Sequence, residues 1–251
     1  MKKIFATAVS VSLCCTGLTA QAQEVSEKRQ VEAKVRQVEV DGVIALTLKQ
    51  GATPGLTLYA DQKYMADFVV QQDGDSLKIK NRSTVHIGKG PEMRAELVLP
   101  HLDVLKNRGI GSTNASGFSG EKIKLDVSGA GNVSFNGAYK HVKLMLSGVS
   151  KVNLDVKEAE HTEVKMSGAG STDMKGKSRD LEVELSGVGA LDAQQLEAQN
   201  LKLKLSGTSK ASVTAKQSAS VAVSGVGSAV IYGEPATRSS AVSGAGKLSW
   251  K

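Results

Sequence analysis

Acidic side chains recur at the same place in successive repeats of this sequence, which could create a catalytic pair. Asp173 and Asp192 are 19 residues apart, and so are Glu163 and Glu182. Two carboxylates held close together can cleave a glycosidic bond, one as general acid and the other as base or nucleophile. Lysines fill the same repeat positions elsewhere, which is typical of a solvated face of mixed charge. We therefore expect no catalytic residues, and keep a polysaccharide hydrolase or lyase as the alternative.

His141 and His161 also share one repeat position and could approach closely enough to bind a transition metal. Two imidazoles are a small donor set, and nothing in the sequence identifies the nearest carboxylates, Glu160 and Glu163, as further ligands. An exposed polar position is the simpler interpretation. The sequence predicts neither a metal site nor a cofactor.

Glycine-rich turns of the chain resemble ligand-binding loops only superficially. None continues into Lys-Ser or Lys-Thr and a helix, as a phosphate-binding loop does. The aspartate that a calcium-binding nonapeptide repeat requires after its second glycine is replaced mainly by Val, Thr, Leu or Ala. There is no Gly-x-Ser-x-Gly motif for acyl transfer.

The element that positions all these side chains is a short phrase, Ser-Gly-x-Gly or a close variant, which we call the corner. Its first glycine returns every 18 to 20 residues, as expected of a solenoid whose coils stack on their neighbours. These glycines are Gly109, Gly129, Gly148, Gly168, Gly187, Gly207, Gly225 and Gly244. We number repeat positions from the residue before that glycine, which is position 0.

Positions −3, −1, +5 and +7 are mostly aliphatic, and the positions between them are mostly polar. This alternation predicts two strands per coil, each with one buried face. Position 0 is usually serine, and these serines would form a ladder that hydrogen-bonds between coils. We predict an all-β fold, a parallel β-helix or closely related β-solenoid of about eight coils over residues 106–251, with about 19–20 residues per coil.

Residues 23–105 are β-rich but less regular, and we expect them to cap the solenoid as part of one continuous domain. Residues 23–30 are predicted to be frayed, and residues 62–67 to form a short helix after Asp61. Strands are predicted over residues 31–35, 38–48 with a turn at Asp41-Gly42, 56–60, 68–72, 77–80 and 93–99.

The first 22 residues have the pattern of a secretory signal peptide. A basic start precedes an apolar stretch, residues 4–18, that is too short to span a bilayer, and cleavage is expected after Ala22. Cys14 and Cys15 lie within this segment, so the mature chain would have no thiol. A lipoprotein would acylate one of them, but the small residue usually found before such a cysteine is missing. We expect a periplasmic or secreted protein without a membrane span.

The charge of the chain is mildly basic. The formal net charge is +7, and removing two lysines with the signal peptide leaves 30 basic and 25 acidic residues, or +5. The cations form no dense block, and only nine residues (four Phe, four Tyr, one Trp) are aromatic. A nucleic-acid-binding role is therefore not expected.

The sequence resembles the auto-transporter adhesin head GIN domain family of bacterial envelope proteins over residues 35–250. Besides the corners, the resemblance rests on Gly42-Val43-Ile44, on Leu97-Val98-Leu99-Pro100-His101-Leu102 and on Ile231-Tyr232-Gly233-Glu234-Pro235. This chain departs from the family at Asn107-Arg108, where an apolar residue and Ser are usual. The resemblance implies a secreted solenoid of undetermined molecular function, and it supplies no catalytic residues.

These observations favour a non-enzymatic, secreted cell-envelope protein. A repetitive surface suits extended, multivalent contact. The expected role is adhesin-like binding or a structural scaffold, and the expected partner is a cell-surface glycan or another envelope protein.

Overall fold

The computed structural model describes residues 24–82 and 93–251. The predicted signal peptide, with Cys14 and Cys15, lies outside the described residues. In the part of the chain that is described, no helix is long and apolar enough to cross a membrane.

The repeats form the predicted parallel solenoid. Each strand pairs in parallel with the equivalent strand of the next coil, so that Leu144 lies beside Val164, and Val164 beside Val183. The strands of this part are β9 (Thr113–Val127), β10 (Asn132–Leu146), β11 (Lys151–Met166), β12 (Ser171–Leu185), β13 (Val188–Gly225), β14 (Ser228–Tyr232), β15 (Thr237–Gly244) and β16 (Lys247–Trp250). The eight corners delimit about seven turns, one fewer than predicted.

The N-terminal part joins the same sheet. Its strands are β1 (Glu24–Arg29), β2 (Gln37–Asp41), β3 (Ala45–Gln50), β4 (Gly55–Asp61), β5 (Phe68–Asp73), β6 (Ser76–Asn81), β7 (Arg94–Leu99) and β8 (Val104–Asn107). β3 and β8 both pair in parallel with β9, so the first solenoid strand lies directly on this part. β1 runs antiparallel to β4 and ends the sheet on that side.

Three predictions for the N-terminal part were wrong. The polar segment predicted to be frayed contains β1, whose charged residues suit an edge strand. The alternating residues 31–35 form a turn, in which the Val35 N–H bonds to the Glu32 carbonyl and both valines are buried. The helix predicted over residues 62–67 shrinks to one 3-10 turn, Met65–Asp67.

The core is a set of aliphatic columns inside the tube. At position −1, Val127, Leu146, Met166, Leu185, Leu205 and Val223 are all at most 3% exposed. The column ends at Val242, which is 46% exposed because β15 pairs only with β13. The predicted buried face therefore holds for every coil except the last.

Glycine at the corner allows the coils to approach. A Cβ atom on Gly148 would lie 2.0 Å from the carbonyl oxygen of Gly129, and one on Gly168 would lie 2.1 Å from that of Gly148. Ser186, Ser206 and Ser224 at position 0 do bond between coils, but to backbone carbonyls and not to each other. The Ser224 hydroxyl, for example, donates to Leu205 over 3.2 Å.

Asn107 keeps the first corner regular although it replaces an apolar residue. Its side chain is 2% exposed. Its amide donates to the Thr113 hydroxyl over 2.8 Å, and its oxygen accepts the Gly109 N–H over 3.1 Å. The buried polar group is thus satisfied, which removes most of the cost of placing it in the column.

Candidate functional site: two grooves along the solenoid

Asp173 and Asp192 are register partners on β12 and β13, as predicted. They lie in a groove of about 740 Å³ that spans five coils, which we call the amide groove. Its polar lining consists of Asn114, Ser116, Ser134, Asn136, Asn153, Asp155, Asp173, Lys175, Asp192, Gln194 and Gln195. Most of these residues occupy positions +6 and +8, near the start of the long strands. The two strands predicted for each coil are in fact one continuous strand from corner to corner in β9 to β12.

Hydrogen bonds and ion pairs cross the amide groove from coil to coil. The Asn136 amide donates to Asp155 over 3.1 Å, and the Asn153 amide donates to the Ser134 hydroxyl over 3.4 Å. Lys151 lies 3.0 Å from Asp173. The groove thus presents a fixed array of amide, hydroxyl and carboxylate groups at the strand spacing of about 4.8 Å.

Asp155 is the most buried carboxylate of the amide groove, with a residue exposure of 7%. Burial alone would raise its pKa. The pKa is nevertheless held below its ordinary value, because the side chain and backbone N–H of Lys157 bond to the carboxylate and Lys175 adds a further contact. Asp155 is therefore an ionised acceptor at neutral pH.

Glu163 and Glu182 are also register partners, but lysines neutralise both. Glu163 lies 2.8 Å from Lys143 and 2.9 Å from Lys165. Glu182 lies 2.8 Å from Lys202. Hydrogen bonds from Lys143 and from Lys202 hold the pKa of the two carboxyls below their ordinary values. A glycosidase needs one protonated carboxyl at working pH, and neither glutamate meets that need.

His141 and His161 are neighbours on β10 and β11. With His101 they line a second groove of about 660 Å³, which we call the histidine groove. Its other charged residues are Arg36, Asp103, Glu121, Lys122, Lys124, Lys143 and Glu163. Among residues 24–82 and 93–251, no three His, Cys, Asp or Glu side chains are arranged to hold a metal ion.

Each acidic residue of the histidine groove has a cationic partner. Asp103 accepts bonds from Arg36 over 2.6 and 3.3 Å, and Lys143 lies beside Glu163. Glu121 lies 2.9 Å from Lys140 and 3.7 Å from His141, and the Lys140 hydrogen bond holds the pKa of that carboxyl below its ordinary value. The acids of this groove are therefore neutralised locally.

The family model described as "Putative auto-transporter adhesin, head GIN domain" matches residues 35–235. The chain belongs to this family. The match contains both grooves and all but the last corner of this head GIN domain. No curated protein shows significant sequence similarity to the chain.

Solved structures share the head GIN fold at low sequence identity. A putative adhesin from Parabacteroides distasonis ATCC 8503 superposes with a TM-score of 0.85 at 19% identity, covering 92% of this chain and 98% of that chain. A putative adhesin from Bacteroides fragilis NCTC 9343 superposes with a TM-score of 0.70 at 18% identity, covering 94% of this chain and 100% of that chain. A putative lipid binding protein from Parabacteroides distasonis ATCC 8503 superposes with a TM-score of 0.74 at 18% identity, covering 89% of this chain and 96% of that chain. At these identities the likeness shows the fold.

Sequence reasoning missed the residues that complete the histidine groove of this head GIN domain. Arg36 and His101 lie outside the regular repeat, so no spacing rule connects them with His141. Lys122 and Lys124 do occupy repeat positions, −6 and −4, and the columns they share with His141 and Lys143 could have indicated the cluster.

A second missed feature is an apolar ridge along the corners at position +2. Ile110, Val149, Val188 and Val226 are 54–66% exposed and occur in every second coil. Small residues alternate with them at Ala130, Ala169, Thr208 and Ala245. The surface of the solenoid therefore repeats every two coils. The sequence has the same alternation at position +2, but its meaning is clear only when these residues are known to be exposed.

Proposed function

We propose that this head GIN domain is a non-enzymatic, adhesin-like protein of the cell envelope that binds a cell-surface glycan along the amide groove. The array of amide, hydroxyl and charged groups across five coils carries the proposal. Sugar hydroxyls both donate and accept hydrogen bonds, and side-chain amides offer both functions in one plane. A chain of sugars would meet polar side chains at the same two positions in each coil, so that weak contacts add up.

The charges in the amide groove favour binding over bond cleavage. Asp155 is ionised and contacts Lys157 and Lys175. Asp173 is paired with Lys151. Carboxylates fixed in this way are acceptors for sugar hydroxyls. General acid catalysis would instead require a carboxyl that keeps its proton near neutral pH.

A polar ligand suits the groove better than a lipid. One structural neighbour is named as a lipid binding protein, but eleven of the fifteen residues that line the amide groove have polar or charged side chains. The other four, Ala115, Phe135, Leu154 and Met174, are at most 3% exposed. The aliphatic columns fill the tube, and their members are almost completely buried. An acyl chain would have to displace that core. Membership of an adhesin family supports a location in the envelope or outside the cell, in agreement with the secretion signal read from residues 1–22.

A glycan array tests the proposal, with released sugars measured in the same samples. Residues 23–251 are applied to neutral and acidic glycans, and the supernatants are analysed for new reducing ends. We expect binding without release. Release of oligosaccharide that disappears in Asp173→Asn or Asp192→Asn would show a polysaccharide-cleaving enzyme and contradict the proposal. Binding to envelope proteins but to no glycan would also contradict it.

A further inference from the structure

We infer that the histidine groove binds an anionic group of an acidic glycan, a uronate carboxylate or a sulfate ester. The choice of a glycan rests on the proposed function, but the site itself is separate from the amide groove. It lies at positions −6 and −4, towards the end of each long strand, whereas the amide groove lies at positions +6 and +8, near the start of these strands.

Three lysines and two imidazoles form a regular grid on three neighbouring strands. Lys122 pairs in register with His141, which pairs with His161. Lys124 pairs in the same way with Lys143. Neighbouring rows are about 4.8 Å apart, and the two columns are separated by two residues of a strand, about 7 Å. One oxyanion above the first two rows could therefore contact several donors at once.

Lys122 and Lys124 supply the uncompensated charge of the grid. Neither lysine forms an ion pair within the described parts of the chain. Lys122 does have a coulombic interaction with Glu121. The acids nearby are neutralised by Arg36, Lys140 and Lys143. Imidazoles donate one ring N–H each even when neutral. The groove thus has free cationic donors, which bind carboxylates and sulfates through charge-assisted hydrogen bonds.

The limits of the grid favour a glycan substituent over an anionic membrane surface. The unpaired lysines end with the first rows, because in the next coil His161 pairs with Asp180 and Glu163 with Glu182. Both acids of that next strand have ion-pair partners, so a flat anionic surface would meet no further unpaired cation at these two positions. A single charged group on a sugar chain needs only the first two rows.

Affinity measurements on matched variants test the inference. The probes are heparin oligosaccharides, oligogalacturonates, neutral cello-oligosaccharides and phosphatidylglycerol vesicles, titrated at low and physiological salt. The test variant is Lys122→Ala with Lys124→Ala. The control is Lys202→Ala with Lys204→Ala, which removes the same charge from the same face outside the groove. We expect at least one acidic oligosaccharide to lose about tenfold or more in affinity in the test variant and less than about threefold in the control.

Three results would overturn the inference. One is an equal loss in both variants, which would indicate attraction to net charge alone. Another is binding of vesicles through Lys122 and Lys124 without binding of either acidic oligosaccharide. The third is binding of neutral oligosaccharides alone, which would leave the proposed function standing. Acidic binding that depends on the lysines, together with no glycan bound in the amide groove, would support the inference and contradict the proposed function.

Discussion

Glu163 and Glu182 lie side by side on neighbouring strands, and a lysine ammonium group lies 2.8 Å from each of them. Their spacing in the sequence fits a catalytic dyad, but their surroundings do not. Two carboxylates without other partners would repel each other and raise one pKa. Here Lys143 and Lys202 lower both pKa values instead, so the pair is part of a charged, solvated face.

The aliphatic columns predict where a charge is tolerated. Leu185→Asp places a carboxylate at a position that is 2% exposed, and we expect the free energy of unfolding to fall by about 3–5 kcal/mol. Val242→Asp changes the same repeat position in the last coil, where the side chain is 46% exposed, and should cost less than about 1 kcal/mol. Urea denaturation followed by circular dichroism measures both. Similar losses in the two variants would contradict the column assignment.

The corner predicts a sharp difference between two glycines. A Cβ on Gly148 would meet the Gly129 carbonyl at 2.0 Å, whereas a Cβ on Gly55 would have nothing within 4 Å. Gly148→Ala should therefore destabilise the protein by about 1–3 kcal/mol, and Gly55→Ala should change stability by less than about 0.5 kcal/mol. Thermal melts of the two variants test this. A neutral Gly148→Ala would mean that the coils can separate at the corner without cost.

The hydrogen bonds of Asn107 predict a loss of stability when the family's usual apolar residue replaces it at this corner. Asn107→Leu would leave the Gly109 N–H and the Thr113 hydroxyl without their present partner. We expect a loss of about 1–3 kcal/mol in unfolding free energy. Adding Thr113→Val should recover part of it, because the buried hydroxyl is then removed as well. A more stable Asn107→Leu protein would contradict this description of the first corner.

The pKa of Glu163 predicts a stability difference that depends on pH. Hydrogen bonds from Lys143 and Lys165 hold this pKa below its ordinary value of 4.5 in the folded protein, although burial opposes them. The carboxylate therefore stabilises the fold at pH values above 4.5, and the contribution is lost as the pH falls below that value towards the folded pKa. At pH 7 the free energy of unfolding of the wild type should exceed that of Glu163→Gln by up to about 1 kcal/mol. In acid the two free energies should become equal.

Chemical denaturation across this pH range measures the difference. In a Lys143→Met background the effect of Glu163→Gln should be smaller, because one of the two ion pairs is already absent. A difference that persists in strong acid would show that lost packing, and not lost charge, explains the effect.

The regular part of the fold could be predicted because each coil repeats the same physical problem. Leu144, Val164 and Val183 recur at one position, so their burial and register follow from the period alone. The N-terminal part has no period. Val31 and Val35 alternate as in a strand, but they are both buried within a turn, and β1 is recognised as a strand only through its pairing with β4.

The sequence predicted which candidate site residues lie side by side, but not which side chains surround them. The repeat correctly placed Asp173 beside Asp192 and His141 beside His161. It did not identify the lysine that neutralises each acid. Lys143 and Lys202 share one repeat position with Glu163 and Glu182, but a long lysine side chain can reach an acid in either neighbouring coil or, like Lys151, in another column. Nor could it bring His101 and Arg36 to the histidine groove, since both come from connections outside the repeat.

The most direct test of glycan binding in the amide groove is a titration of groove variants with a glycan found on the array. Asn153→Ala with Gln194→Ala removes two amides from the groove lining, and Gln217→Ala removes an exposed amide outside it. Isothermal calorimetry should show an affinity about tenfold or more weaker in the double variant and unchanged in the control. Equal affinities in all three proteins would contradict a glycan site in the amide groove.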